Sequence, residues 1–66
     1  MQIHEIIRTR RTALGLTQEQ LAGKLGVSAP AVNKWERGNS YPDITLLPAL
    51  ARTLRVDLNT LLSFQE

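Results

Sequence analysis

Three of the chain's four glycines, Gly15, Gly26 and Gly38, each stand just past an apolar-periodic segment, and this punctuation leaves room only for short helices. Glycine enters the left-handed conformation that closes a helix at little steric cost, which makes it the common stop residue. Start signals fall between the stops. Thr17 precedes the second segment with Gln20 three residues on, the pattern of a capping box in which the two side chains satisfy orphaned backbone N–H groups. Ser28 opens the third segment, and Pro30 follows in a first turn where a missing N–H is not missed. Leu14 to Gly38 therefore reads as two short helices, about 18–25 and about 29–37, across a tight turn. A rigid corner of this kind can place its second helix in the major groove of DNA while the first crosses the backbone.

The apolar spacing supplies the remaining elements. Ile3, Ile6, Ile7 and Leu14 follow a helical period, with the stem of Arg10 filling the same stripe. Leu21, Ala22 and Leu25 form the buried face of the second helix, and Ala31, Val32 and Trp35 that of the third. Gly23 is the exception among the glycines, a mid-helix residue that costs ~1 kcal/mol relative to alanine. NSYPD is a loop by composition. A fourth helix carries Ile44, Leu47, Leu50, Ala51 and Leu54, but Pro48 either moves its start to near Leu46 or bends its first turn. Asp57 caps a short fifth helix with Leu58, Leu61 and Leu62 inward. The expectation is all-α: one compact five-helix bundle over residues 1–66, without strand pattern or internal repeat.

Composition narrows the function classes. Sixty-six residues make one domain, which buries only ~60% of its unfolded surface. No cysteine is present to staple it, and His4 alone assembles no zinc site. Six carboxylates, one histidine and no cysteine leave no acid–base pair or nucleophile constellation, so an enzyme is not expected. No cofactor or small-molecule motif is recognisable. The apolar stretches are too short to cross a bilayer, and MQIHEIIRTRR lacks the apolar block of a signal peptide, which points to the cytoplasm. The net charge of +2 is unevenly placed: residues 1–41 carry +3 and residues 42–66 carry −1. The positive half contains the two-helix corner, as a footprint on phosphates requires.

At LTQEQLAGKLGVS, VNKWERG and YPD the chain resembles the Cro and phage-repressor type helix-turn-helix family, also called the xenobiotic-response-element (XRE) type. The resemblance covers residues 3–62 and its motifs occur together and in order. It implies a lambda-repressor-like DNA-binding fold and a transcriptional regulator, a repressor or controller, that binds double-stranded DNA operators as a homodimer. Carried over by position, Gln18 touches a DNA phosphate, or is an ordinary exposed residue in a capping turn. The third helix is then the recognition helix, with Ser28, Ala29, Pro30, Asn33 and Lys34 toward the bases. Asn33 suits adenine N6 and N7, and Lys34 suits guanine O6 and N7 or a phosphate. Arg10 and Arg37 are further phosphate candidates. So are Asn39, Ser40 and Tyr41, unless they only form a hydrogen-bonded turn. Arg11 and Glu36 resemble a family ion pair tying helix one to the end of helix three. Trp35 is a core anchor rather than a base-stacking platform.

Two departures stand out. Ala29 and Pro30 replace the polar side chains that many members place there, and Arg55 stands where many have glycine between helices four and five. Leu58, Leu61, Leu62 and Phe64 are candidates for a dimer patch, the first three equally for core. The competing expectation is a protein-interaction module of antitoxin or co-regulator type on the same fold. No effector-sensing domain fits in this length. Regulation then acts through partners or expression level, or the chain is the amino-terminal piece of a longer regulator, with which the ending LLSFQE agrees.

Overall fold

Short amphipathic helices need a shared surface on which to bury their apolar stripes, and the computed structural model, which describes residues 2–62, shows them wrapped around one. Five α-helices are present among the described residues, with no strand. Helix α1 (Ile3–Ala13) buries Ile3, Ile6 and Ile7. The Glu5 carboxylate accepts the Gln2 backbone N–H at 2.9 Å, closing its start. Gly15, at φ 73°, turns the chain away from its end.

Helix α2 (Gln18–Leu25) begins with a reciprocal cap. The Gln20 backbone N–H donates to Thr17 Oγ1 at 3.0 Å, and the Thr17 N–H donates to Gln20 Oε1 at 2.9 Å. Gly26, left-handed, stops it, and the Val27 N–H returns to the Ala22 carbonyl. Helix α3 (Ala29–Glu36) opens with the Ala31 N–H on Ser28 Oγ and ends one residue sooner than the spacing predicts, with Arg37 as its cap. Gly38, at φ 76°, then lets the Asn39 N–H reach the Lys34 carbonyl.

Pro48 decides the start of the fourth helix. A separate 3-10 turn, Ile44–Leu46, comes first, and α4 (Leu47–Leu54) begins behind it, so that Pro48 falls in a first turn whose N–H groups have no intrahelical acceptor. Ile44 is thereby thrown outward, with 78% of its surface exposed, and does not join the apolar face expected of it. Arg55 takes the left-handed corner itself, at φ 61° and ψ 43°. Helix α5 (Leu58–Leu61) starts at Asp57, whose Oδ1 accepts the Thr60 N–H at 2.6 Å.

Ile7, Leu21, Val32, Leu50, Leu54 and Leu61 are fully buried and bring all five helices to one core. The fifth helix contributes less than expected: Leu61 is inside, Leu62 is half-buried and Leu58 is exposed. Phe64 lies outside the described residues. Helix α3 rests on α2 and α1, while α4 backs α2 and carries α5. One face of α3, carrying the exposed Pro30 and Lys34 with Asn33 half-buried between them, is thereby left uncovered.

Candidate nucleic-acid interface

A buried carboxylate organises the corner. Glu36 closes α3 with 7% of its surface exposed, and a charge so placed requires partners. Arg11 supplies two, with Nε at 2.5 Å from Oε2 and Nη2 at 3.0 Å from Oε1. The remaining nitrogen, Nη1, donates to the Leu16 carbonyl at 2.7 Å, so one guanidinium joins α1, the turn after it and the end of α3. Such a fork-to-fork pair fixes orientation as well as distance. Gln18 adds a third donor, its Nε2 lying 3.0 Å from Glu36 Oε1. Asn33 Nδ2 in turn lies 3.4 Å from Gln18 Oε1. Among the described residues no buried side-chain polar atom lacks a partner.

The expected site residues fall into distinct environments. Ser28, Pro30 and Lys34 are exposed, Asn33 is half-buried beside Gln18, and all belong to α3 or its cap. Ala29 is half-buried and packs against the core, which leaves a small, close surface at the start of the helix. Arg37, Asn39, Ser40 and Tyr41 follow α3 as an exposed run, Tyr41 with 69% of its surface free. Among the described residues the only ion pair is Arg11–Glu36, so Lys34 and Arg37 face solvent without a carboxylate partner. Beneath them Trp35 is buried with Val32, on the side of α3 turned to the core.

Arg10 is engaged within the fold. Its Nε donates to the Leu54 carbonyl at 3.1 Å, satisfying one of the last acceptors of α4 and bringing that helix end to α1. Two further placements were not legible in the spacing. Leu16 acts through its carbonyl rather than its side chain, and His4 packs its imidazole beside Gly38, 3.7 Å from where a side chain there would begin. Neither follows a pattern: the first depends on a backbone atom, the second on α1 crossing the end of α3.

No group of histidine, cysteine and carboxylate side chains among the described residues is arranged to hold a metal ion. A groove of about 570 Å³ between α1, α2 and α4 is lined by Lys24, Arg52 and Arg55 with apolar and threonine neighbours, and its lining holds no carboxylate or histidine. Among the described residues no helix is long and apolar enough to cross a membrane.

Known proteins share this arrangement. The helix-turn-helix family model matches residues 7–61. The HTH-type transcriptional activator BcrR of Enterococcus faecalis is 41% identical over 66 residues, covering 100% of this chain and 32% of that protein. DicA, an HTH-type transcriptional regulator of Escherichia coli, is 45% identical over 53 residues, or 80% of this chain and 39% of DicA. The chain thus spans less than half the length of either relative. Among solved structures, the P22 c2 repressor in complex with a synthetic operator superimposes with a TM-score of 0.88 at 35% identity, covering 94% of both chains. The capped corner, the ion pair beneath it and these matches have one common explanation: the chain belongs to the Cro and phage-repressor type of helix-turn-helix family and has its lambda-repressor-like fold.

Proposed function

We propose that this chain is the sequence-specific, double-stranded DNA-binding part of a transcriptional regulator, and that α3 enters the major groove of its operator. The observation that carries the reading is the uncovered face of α3, held rigidly from behind by Trp35 and the Arg11–Glu36 pair and bordered by unpaired Lys34 and Arg37 among the described residues. The likeness to a repressor crystallised in complex with a synthetic operator supports DNA as the partner.

Asn33 and Lys34 are the base readers, with Ser28, Ala29 and Pro30 at the close-approaching start of the helix. Ala29 offers a methyl group suited to thymine. Gln18, Arg37, Asn39, Ser40 and Tyr41 contact phosphates and set the register. Arg10 belongs with them through its two Nη groups, its Nε being held by the Leu54 carbonyl. The domain acts in the cytoplasm as a homodimer on DNA and has no catalytic role. One helix of eight residues reads only a few base pairs, and a two-fold pair presents half-sites ~34 Å apart. The exposed Leu58 and half-buried Leu62 of the α5 region are the apolar side chains available to such a contact.

Selection from random duplexes followed by sequencing tests the proposal. The expected result is enrichment of a palindromic site whose affinity falls steeply with salt as counterions are released. No enrichment, with weak and salt-independent DNA binding, would transfer the fold to the protein-interaction reading.

A further inference from the structure

Hydrogen-bond direction in the corner is not arbitrary. A carboxylate only accepts, and Glu36 is ion-paired and buried, so the Gln18 amide must turn its nitrogen toward Glu36 Oε1. Its oxygen then faces Asn33, which answers with Nδ2. Each link sets the direction of the next: carboxylate, Gln18 amide, Asn33 amide.

From this chain of bonds we infer that Gln18 is a specificity-positioning residue: together with Glu36 it fixes which way the Asn33 amide faces the DNA, and thereby makes Asn33 an adenine reader. The inference rests on the reading of α3 as the DNA-facing helix. An amide nitrogen has two hydrogens. Asn33 gives one to Gln18 and keeps the other, together with Oδ1. A remaining donor and acceptor side by side match adenine, whose N7 accepts and whose N6 donates. Were the Asn33 amide reversed, Oδ1 would face Gln18 Oε1, an oxygen against an oxygen. The final link, at 3.4 Å, is longer than the 3.0 Å link behind it, so it orients Asn33 while leaving the side chain free to settle on a base edge. Gln18 itself retains one N–H for a phosphate, and the two roles do not compete.

The test uses Gln18→Met, which keeps the length of the side chain and removes the amide at a half-buried position where thermal unfolding verifies the fold. Wild-type selection first defines the site, and Asn33→Ala identifies the base pair that Asn33 reads as the one position losing preference. Gln18→Met is then expected to lower discrimination at that same base pair by about tenfold while leaving the other base positions unchanged. In the free protein the side-chain amide resonances of Asn33 are expected to shift in the variant. Loss of affinity shared equally by all duplexes, with discrimination at that base pair intact, would show Gln18 to be a phosphate contact alone and overturn the inference. So would unshifted Asn33 amide resonances. Failure of the wild-type protein to select any duplex would overturn the DNA reading itself, and this inference with it.

Discussion

Arg11 and Glu36 stand 25 residues apart in sequence and 2.5 Å apart in space, and the carboxylate end of the pair is the more deeply buried, with 3% of its side chain exposed against 13% for Arg11. Such a pair is dangerous to halve. Arg11→Ala or Glu36→Ala leaves one buried charge alone and is expected to cost about 3 kcal/mol, read as a lowered urea midpoint. Replacing both, with Arg11→Met and Glu36→Leu, is expected to cost less than either single change, because neither charge is then stranded. A double variant less stable than either single change would show that the pair stabilises the fold outright.

Gly23 and Gly26 sit on the same short helix and its stop, yet alanine is expected to act on them in opposite directions. Gly23 has helical backbone, is exposed, and has nothing within 4 Å of an added Cβ. Gly23→Ala is therefore expected to stabilise the domain by about 0.5–1 kcal/mol, raising Tm by roughly 4 °C. Gly26 also has open space, but its φ of 73° is one that a side chain resists. Gly26→Ala is expected to lose about 1 kcal/mol.

Arg55 shows the reverse case, a side chain holding a glycine's conformation at φ 61°. Left-handed backbone costs about 1–2 kcal/mol for a non-glycine residue, offset in glycine by its larger loss of chain entropy. Arg55→Gly is expected to be neutral or to stabilise by up to ~1 kcal/mol in thermal unfolding, and β-branched Arg55→Val to destabilise by ~1 kcal/mol or more. Equal stability of all three would mean that α5 docks with the corner rebuilt.

Two exposed carboxylates tie stability to acid pH. Hydrogen bonds from Thr60, the side chain first and then the backbone N–H, hold the Asp57 carboxyl below its ordinary value. The Thr45 backbone N–H, then its hydroxyl, do the same for Asp43. A carboxyl lowered by folding favours the folded state when ionised. Its contribution is complete above the unfolded value and disappears as pH falls through the folded one. Stability is thus expected to decline as pH drops below about 4, where an unfolded aspartate takes its proton. Asp57→Asn retains a capping side chain and should flatten that decline in unfolding measured across pH 2–5.

Arg37 offers a check on how the outer face of α3 divides its work. It is exposed, caps the helix and has no carboxylate partner among the described residues. Arg37→Gln is expected to weaken binding to all duplexes alike and to reduce the salt slope by about one, with the selected sequence unchanged. A changed sequence preference would move Arg37 from the phosphates to the bases.

What could be read along the chain was local. Thr17, Gln20, Ser28 and the three stop glycines act on neighbours within five residues, and their bonds fall where the residue types place them. Pro48 left open a late start or a bent first turn for the fourth helix, and the 3-10 turn that exposes Ile44 depends on how Asp43 caps it through Thr45. The resemblance brought Arg11 and Glu36 together. No spacing showed that Gln18 would join them, because that bond requires the start of α2 to meet the end of α3. Nor did spacing show that Arg10 Nε would be held by the Leu54 carbonyl, since that bond requires the end of α4 to arrive beside α1.

The eight residues of α3 have one more consequence. Helices shorter than ~12 residues hardly persist alone in water, since nucleation outweighs the few bonds gained. Val32 and Trp35 keep this one wound only by being in the core, so the helix proposed to read DNA has no existence apart from the folded domain. A weakened variant does not grip DNA loosely with a frayed helix; it divides into molecules that read normally and molecules that do not read at all. In the proposed role, occupancy of an operator becomes a gauge of the folded fraction, and heat acts as a dilution.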